Sequence, residues 1–346
     1  MIQRISAEEY LRTYKNIPLI DVRSPAEHEH AHHPGAISIP LFSNEERALI
    51  GTLYKHQGKS AAIEAGITIV SPHLQQFIDK LKEATAQKNV AVYCWRGGMR
   101  SQSLAMLFAI AGYKTFQIIG GYKALKKMLR EAVAEKKNAF ILLGGKTGSG
   151  KTDLLKELQN NSEQVINLEG IARHKGSTYG GLGNREQPSQ EQFSVTLFHQ
   201  LYYMDPKKVI WLEHEGSRLG DIQIPPELST LTSTAPVLYI TIPLQERVTR
   251  IINEYGSHTR QALIACTKKL EQQLGGKATT DICALIEQQN IEAAVQALLE
   301  HYDRTYTFSK QRNKTNQFID LDLQNTSSEK RIRKLIDTAE QYKNPI

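Results

Sequence analysis

Residues 139–152 read AFILLGGKTGSGKT, an apolar run that leads directly into a glycine-rich turn. From Gly145 to Thr152 the turn matches the phosphate-binding pattern G-x4-G-K-[ST] at every fixed position. A chance match somewhere in a chain of this length has odds of roughly 1 in 100. The apolar run predicts a buried strand and the following DLLKELQ predicts a helix, which is the context in which such a loop binds a diphosphate.

Each residue type in this loop has a physical task. Glycines let backbone amides approach the anion, Lys151 reaches the phosphate oxygens, and Thr152 faces any magnesium ion. The predicted diphosphate-binding residues are Gly145, Lys146, Thr147, Gly148, Ser149, Gly150, Lys151 and Thr152. A glycine-rich turn without a ligand is the structural alternative. The motif indicates a phosphate group and leaves the rest of the ligand open.

Four charged residues outside the loop are further candidates. Glu213 and Glu215, in WLEHEG, end a predicted strand, where phosphate-loop enzymes often hold an acidic residue for a metal; both could instead be solvated turn residues. Arg247, on the predicted helix after IPLQE, could reach phosphate or face solvent. Arg173 lies in a polar, glycine-rich stretch, 168–193, whose order could depend on a ligand. No Cys/His spacing typical of a metal site occurs.

A second glycine-rich turn, VYCWRGGMRSQS at residues 92–103, places a cysteine at the end of a predicted strand and before a predicted helix. Backbone N–H groups and the positive end of the helix favour the thiolate of Cys94, the form in which sulfur is nucleophilic. The predicted cradle for an anionic group on this sulfur comprises Trp95, Arg96, Gly97, Gly98, Met99, Arg100 and Ser101. We therefore predict that Cys94 is catalytic.

Two other interpretations of Cys94 stay open at this point. Buried cysteines are common in protein cores, and Cys94 could be one of them. The spacing from Cys94 to Arg100 also satisfies Cys-x5-Arg, the signature of cysteine phosphatases. Tyr93 stands where those enzymes usually carry histidine, which weakens that alternative.

The order of predicted elements indicates two α/β domains, residues 1–130 and 131–346, joined in the basic helical stretch 125–138. We expect a mostly parallel sheet with helices on both faces in the first domain, including one helix over 46–66. The second domain should contain strands at 139–145, 165–170, 208–216 and 235–243, and a helical pattern from about residue 244 onward. Cys266 and Cys283 fall on helical apolar patterns and should be core residues.

The composition narrows the class of protein. A net charge of +7 suits a polyanionic partner without naming one. Three cysteines without paired spacing argue against a disulfide framework and fit a reducing cytoplasm. The N-terminal stretch has no apolar signal core, and no apolar run reaches 18 residues. We expect a cytoplasmic protein that does not enter a membrane.

Several stretches together carry a resemblance to known families. DVRSPAEHEHAHHPGAISIP, YCWRGGMRSQS and GYKTFQIIGGYKAL resemble a rhodanese domain, in which an Asp-x-Arg stretch, here Asp21 and Arg23, precedes a chalcogen-accepting cysteine. That resemblance implies a structural role for Asp21 and Arg23 beside the loop. The stretches GTLYKHQGKSAAIEAG, GGKTGSGKT, LEGIARHKGSTYGGLG and WLEHEGSRLG complete a close resemblance to bacterial tRNA 2-selenouridine synthases, also known as tRNA geranyl- and selenium-transferases. It covers about residues 17–306.

This resemblance implies a rhodanese-like domain followed by a P-loop NTPase-like α/β domain with a helical C-terminal region. It also implies a two-step exchange at the wobble 2-thiouridine of tRNA, with geranyl diphosphate and selenophosphate as co-substrates and no tightly bound cofactor. Cys94 would carry selenium as a perselenide. Candidate tRNA contacts are Lys126, Lys127, Arg130, Arg173, His174 and Lys175.

Other functions remain open from the sequence. One is an ATP- or GTP-dependent P-loop kinase fused to a thiosulfate-type sulfurtransferase, and another is a non-enzymatic sensor of redox state and nucleotide. The residues do not specify which tRNAs are used, whether magnesium is needed, or whether the donor supplies sulfur or selenium. They also do not specify whether both steps share one pocket, or the oligomeric state.

Overall fold

The structure is a computed structural model that describes residues 2–176, 179, 182, 186–214, 216–312 and 315–342, with the backbone alone over 305–312. These residues form two compact units. The first comprises residues up to Ala132 together with Ser194–His199, and the second begins at Val133 and includes the remainder.

A five-stranded, wholly parallel sheet forms the centre of the first unit. Its spatial order is β1-β5-β4-β2-β3. The strands are β1 Ile2–Ile5, β2 Leu19–Asp21, β3 Ile37–Ser38, β4 Asn89–Tyr93 and β5 Lys114–Ile118. The central strand β4 is buried from Val90 to Tyr93, as expected for a parallel strand covered on both faces.

Helices cover this sheet. They are α1 Ala7–Glu9, continued by a π-helical turn Tyr10–Tyr14, α2 Pro25–His30, α3 Asn44–His56, α4 Gly58–Val70, continued by the 3₁₀ turn Ser71–His73, α5 Leu74–Ala84, α6 Met99–Ile110 and α7 Gly121–Ala134. One face of β4, including Val90 and Val92, packs with Phe77 of α5 and Phe108 of α6. Tyr14, at the end of the π-helical turn after α1, packs against Phe116 of β5.

The second unit also has a five-stranded parallel sheet, in the order β12-β11-β6-β8-β7. Its strands are β6 Phe140–Gly145, β7 Gln164–Ile166, β8 Ile210–Glu213, β11 Val237–Thr241 and β12 Phe318–Asp322; a separate antiparallel pair is β9 Arg218–Leu219 with β10 Ile222–Gln223. Ile141 and Leu143 of β6 pack with Leu155 of α8 and Leu335 of α17 in one core.

The remaining helices follow the same chain order. They are α8 Lys151–Asn160, α9 Leu168–Ala172, α10 Gln190–Tyr202, α11 Pro226–Thr232, α12 Leu244–Tyr255, α13 Arg260–Lys269, α14 Glu271–Leu274, α15 Gly276–Glu287, α16 Ile291–Arg312 and α17 Ser328–Glu340. A second core joins α12, α13, α15 and α16 and includes Cys266. Cys266 and Cys283 are both buried, which confirms the prediction that they are core residues.

The predicted fold class, two parallel-sheet α/β domains with a largely helical C-terminal region, is confirmed. Three details of the sequence interpretation are wrong. The helix expected over 46–66 is two helices broken at Gln57–Gly58, where Gly58 has a φ of +89°. The strand expected over 165–170 ends at Ile166, because Asn167 accepts the Gly170 N–H and begins α9. The pattern after residue 244 contains a strand, β12, at the sheet edge.

Among the described residues, no helix combines the length and the apolar character that crossing a bilayer requires.

Candidate functional site

Cys94 follows the last residue of the central strand β4, and α6 begins five residues later at Met99. The thiol is buried, with 4% of the residue exposed. The Gly98 N–H donates to Cys94 Sγ at 3.3 Å, and the Ser101 hydroxyl lies 3.4 Å from the same sulfur. The sulfur therefore lies at the N-terminal end of α6, where peptide dipoles stabilise negative charge.

The loop around Cys94 is held by direct backbone packing. Gly97 has a φ of +64°, and a Cβ there would collide with the carbonyl oxygen of Ile118. A Cβ on Gly121 would likewise collide with the carbonyl oxygen of Cys94. Gly98 has open space at the Cβ position and a negative φ, so Gly97 is the position of this pair that requires glycine.

Ser101 belongs to a small buried network. Its hydroxyl lies 2.9 Å from the Gly98 carbonyl oxygen as well as 3.4 Å from the sulfur, and it accepts from Gln117 Nε2 at 3.1 Å. Gln117 also donates to the Gly97 carbonyl at 3.0 Å. A hydroxyl has one proton, so Ser101 donates either to the sulfur or to the carbonyl. The network thus supplies a donor that can turn towards a charged group on Cys94.

The two arginines of the loop have different environments. Arg100 donates to both carboxylate oxygens of Glu27, from Nη1 at 2.6 Å and from Nη2 at 3.3 Å. Arg47 lies 3.7 Å from the same carboxylate. Arg96 is exposed and lines the cavity in front of the thiol. The positive charge expected of Arg100 is therefore balanced by a carboxylate that sequence spacing did not indicate.

Asp21 and Arg23 form a buried ion pair at 2.6 Å beneath this loop. The hydroxyl of Tyr93, the residue before Cys94, donates to Asp21 at 2.8 Å, and Arg23 lies 4.1 Å from the centroid of the Tyr122 ring. Burial raises the pKa of Asp21, but hydrogen bonds from His28 and Arg23 outweigh it and lower the pKa to about 2. These contacts agree with a structural role for the pair.

A cavity of about 900 Å³ opens in front of Cys94. Its wall comes largely from aliphatic and aromatic side chains of α3 and α4, including Ile50, Ile63 and Ile67. Ile67 is 63% exposed and Tyr54 is 60% exposed. A small inorganic anion gains no binding free energy from contact with apolar side chains, so the cavity suits a ligand with apolar surface.

The phosphate-loop motif follows β6, the central strand of the second sheet, and leads into α8 at Lys151. Gly150, directly before this helix, has a φ of +78°, a left-handed conformation that favours glycine. Lys151 Nζ donates to the Gly145 carbonyl at 3.3 Å. Ser149 is buried, and its hydroxyl has no hydrogen-bond partner within the described ranges. The loop therefore presents a lysine, a hydroxyl and a helix N-terminus at one place.

Two carboxylates meet the hydroxyl of Thr152. It lies 2.8 Å from Glu213 Oε1 and 3.0 Å from Glu169 Oε2. Glu213 ends β8 and pairs in register with Leu143, just before the loop. A hydroxyl and a carboxylate are hard oxygen ligands of the kind that magnesium takes beside a diphosphate.

Arg247 and Asp303 brace the tip of the loop. Arg247, only 3% exposed, donates from Nε to the Thr147 carbonyl at 2.9 Å and pairs through Nη1 and Nη2 with Asp303 at 2.9 and 2.7 Å. Lys146 Nζ reaches the same carboxylate at 2.9 Å. Burial raises the pKa of Asp303, but hydrogen bonds from Arg247 and Lys146 lower it overall. Arg247 thus holds the loop rather than facing a phosphate.

The phosphate loop borders a polar cavity of about 730 Å³. Residues 147–153 form one wall, and Glu169, Lys175 and Arg250 lie on the others. Arg250 donates to the Gly148 carbonyl at 2.8 Å. This arrangement can hold an anionic group against the loop amides.

Two family models match the chain, one in each half. Residues 6–128 match the model of the rhodanese-like domain. Residues 138–337, more than half of the chain, match the model described as the tRNA 2-selenouridine synthase AAA domain. The chain belongs to the tRNA 2-selenouridine synthase family. The resemblance found in the sequence is confirmed.

Relatives in this family include proteins named tRNA 2-selenouridine synthase from three organisms. The protein of Nitrosomonas eutropha is 35% identical over 69% of this chain and 63% of its own length. That of Sulfurovum sp. is 30% identical over 86% of this chain and 90% of its own. That of Shewanella pealeana is 36% identical over 73% of this chain and 70% of its own. The chain thus spans somewhat less than two thirds of the Nitrosomonas relative.

Not every candidate residue of this tRNA 2-selenouridine synthase family member lies at a site. Arg173 is exposed, has a left-handed backbone and donates to the Glu186 carbonyl at 3.3 Å; it is not among the residues lining the phosphate-loop cavity. Lys175 lines that cavity and pairs with Glu254 at 2.7 Å. Glu215 lies outside the described residues.

Sequence reasoning missed Glu27, Gln117, Glu169 and Asp303. The Ser24–Glu27 capping box is visible in the sequence, but it predicts a helix start and not the ion pair with Arg100. Asp303 lies in the middle of a helical pattern, 157 residues after its partner Lys146. No local signal distinguishes such residues from solvated charges.

Proposed function

We propose that this protein replaces the 2-sulfur of a wobble 2-thiouridine in tRNA with selenium, through an S-geranyl intermediate. The observation that carries the proposal is that Cys94, at the end of one sheet, opens into a largely apolar cavity, while a complete phosphate loop ends the other sheet. Membership of the tRNA 2-selenouridine synthase family supports it. We assign alkylation to residues 131–346 and chalcogen exchange to residues 1–130, both in the cytoplasm.

In the first step the 2-thio sulfur attacks carbon 1 of geranyl diphosphate. The new S–C bond forms as the C–O bond to diphosphate breaks, and negative charge gathers on the departing oxygen. The N3 proton of the 2-thiouridine is released to water in the same step. The amides of residues 145–152 and the ammonium of Lys151 would stabilise that charge, since donors already aimed at the leaving group need no rearrangement. Ser149, with its buried hydroxyl, is available as a further donor.

Magnesium would be held by the Thr152 hydroxyl and the Glu213 carboxylate, which lie 2.8 Å apart. When bound, the ion would neutralise part of the diphosphate charge. Titrating the purified protein with magnesium in the presence of inorganic pyrophosphate tests this. A Glu213→Gln protein should need more magnesium to bind pyrophosphate, and an unchanged requirement would remove Glu213 from the metal site.

The second step exchanges the alkylated sulfur for selenium. The C2–Se bond forms, the C2–S bond breaks and geranylthiol leaves; water then splits the P–Se bond of the attached selenophosphate and releases phosphate, so the exchange is redox-neutral. Alkylation helps because a thioether sulfur leaves more readily than a thiocarbonyl sulfur. We propose that the Cys94 thiolate, at the N-terminus of α6 with Ser101 as its neighbouring donor, takes a proton from the attacking water and passes it to geranylthiolate. A perselenide on Cys94 is not part of this step, because forming it from selenophosphate would require a two-electron oxidant.

The apolar wall in front of Cys94 suits an alkylated nucleoside. A ten-carbon chain on an anticodon loop is costly to leave in water, and burial against Ile50, Ile63 and Ile67 would bring the modified base to the thiol. Phosphates of the tRNA would be met by lysines and arginines, with Lys126, Lys127, Arg130, Arg173, His174 and Lys175 as candidates. Binding should then weaken steeply as salt is raised.

Two experiments test the proposal. Wobble nucleosides from cells lacking the protein should contain 2-thiouridine and lose both the geranylated and selenated forms in mass analysis. In vitro, Cys94→Ser should geranylate tRNA but not selenate it, while Cys266→Ser, a substitution at another buried cysteine, should do both. Normal selenation by Cys94→Ser would refute the role of this thiol. Turnover of ATP or GTP without tRNA would favour the kinase–sulfurtransferase alternative instead.

A further inference from the structure

A second, smaller cavity in the helical part of the second unit adjoins the phosphate loop. Its volume is about 60 Å³. The wall is built mainly from α12, α13, α15 and α16. The aliphatic lining residues are Ile251, Leu263, Ile286, Ile291, Ala294, Val295, Leu298 and Leu299. The hydroxyl of Tyr179, also at this wall, is engaged with Thr267 at 2.6 Å.

This apolar cavity and the polar phosphate-loop cavity share part of their walls. Thr147, Ile251, Tyr255 and Tyr302 line both. Thr147 is at the tip of the phosphate loop, where Arg247 holds its carbonyl. A ligand whose anionic end lies on the loop amides can therefore place its other end among aliphatic side chains without crossing open solvent.

The chemistry of the wall selects the kind of ligand. A nucleoside base or ribose carries several polar groups, and burying them among these aliphatic side chains would leave them without hydrogen bonds. Apolar cavities of this kind stay dry and bind hydrocarbon. About 10–15 Å³ of such volume holds one water-sized group, so the cavity takes roughly four to six heavy atoms. That is the size of one branched five-carbon unit.

We propose that this cavity binds the terminal five-carbon unit of a prenyl diphosphate whose diphosphate lies on residues 145–152. This inference rests on the proposed function and adds to it the residues that select chain length. Ala294 and Leu298, one turn apart on α16, line the cavity and are buried. Their side-chain volumes decide how much hydrocarbon fits.

The test measures dissociation constants of the full-length protein for inorganic pyrophosphate, dimethylallyl diphosphate and geranyl diphosphate. For the unaltered protein, geranyl diphosphate should bind more tightly than dimethylallyl diphosphate by on the order of 100-fold, because a further five-carbon unit is buried. Ala294→Phe should fill the cavity and make the dissociation constants for geranyl and dimethylallyl diphosphate about equal. The constants for pyrophosphate and dimethylallyl diphosphate should not change. Ala293→Phe, at a neighbouring position that does not line the cavity, is the matched control.

A second variant works in the opposite direction. Leu298→Ala enlarges the cavity and should improve binding of farnesyl diphosphate relative to geranyl diphosphate by about tenfold. Retained pyrophosphate binding shows that each variant is folded. The assignment of this cavity would be overturned if neither variant changed its ratio of dissociation constants from that of the unaltered protein. The ratio is geranyl to dimethylallyl diphosphate for Ala294→Phe, and farnesyl to geranyl diphosphate for Leu298→Ala.

Geranyl transfer to 2-thiouridine tRNA, measured on the same proteins, distinguishes failure of the cavity assignment from failure of the proposed function. If the unaltered protein and Ala294→Phe both transfer geranyl with equal KM for geranyl diphosphate, the cavity assignment is wrong and the proposed function stands. Chain-length-dependent binding without any transfer to tRNA would sink the proposed function and support the cavity.

Discussion

Glu27 accepts both hydrogen bonds that the guanidinium of Arg100 directs towards it, from Nη1 at 2.6 Å and from Nη2 at 3.3 Å. The carboxylate thereby balances the charge that the loop at Cys94 could otherwise offer to an anionic donor. Glu27 also accepts from the Ser24 N–H at 3.1 Å as part of the capping box of α2. Helix start and loop charge are thus coupled through one side chain.

Replacing Glu27 by Gln should release Arg100 from its counter-ion and lower the KM for selenophosphate about fivefold, roughly 1 kcal/mol. Gln preserves the capping box, so α2 should remain folded. Steady-state kinetics on geranylated tRNA provide the measurement. Glu46→Gln alters the same position in the capping box of α3 and is the matched control. An unchanged KM in Glu27→Gln would mean that Arg100 does not meet the donor.

Removing the Ser101 hydroxyl should slow chalcogen exchange about tenfold, because one hydrogen-bond donor to the Cys94 sulfur is worth about 1–1.5 kcal/mol. Geranyl transfer by the same Ser101→Ala protein should be unaffected. Ser103→Ala removes a hydroxyl that bonds to the Met99 carbonyl on the same helix and should leave both steps intact. If Ser103→Ala and Ser101→Ala slow exchange equally, the sulfur contact is not what matters.

Asp21→Asn should lower the free energy of unfolding of the first unit by about 3–5 kcal/mol, because Arg23 keeps its buried charge without a counter-ion. Burial raises the pKa of Asp21, but hydrogen bonds from His28 and Arg23 bring it from 3.8 to about 2. The stabilisation is therefore fully present above the unfolded pKa and is lost as pH falls through 3.8 towards 2.

Urea unfolding in a Trp211→Phe background, where Trp95 is the remaining tryptophan, measures this difference. The gap in unfolding free energy between this parent protein and its Asp21→Asn variant should be constant above about pH 5 and narrow at lower pH. A gap independent of pH would contradict the coupling between Asp21 and its donors.

Asp303→Asn should weaken pyrophosphate binding about fivefold to tenfold. The substitution removes the charge that holds Lys146 at 2.9 Å and Arg247 at 2.7 Å, so the tip of the phosphate loop at Thr147 loses its brace. Calorimetric titration with pyrophosphate gives the affinity. Asp281→Asn, at an exposed position on α15, should bind as the unaltered protein does. Equal affinity in both variants would show that the loop is held without Asp303.

Much of the fold was predictable because contiguous sequence patterns specify its central strands and the helices that follow them. β4 after its first residue, and β6, are uninterrupted apolar runs followed by glycine-rich turns and helices, so both loops were found with their helices. The edge strands β1 and β12 were missed. IQRI and FIDLD are short and interrupted by polar residues, and their strand character depends on pairing with β5 and β11 far along the chain.

The sequence by itself determined the two parallel sheets, the thiol at the end of one, the phosphate loop at the end of the other, and the family. These depend on strand–turn–helix patterns that neighbouring residues specify through periodicity and backbone freedom. Only the tertiary structure decided that Glu27 neutralises Arg100, that Arg247 braces the loop, and that apolar cavities adjoin both sites. Partners separated by 56 to 157 residues, and spaces between helices, arise from packing of distant segments, which no local pattern encodes.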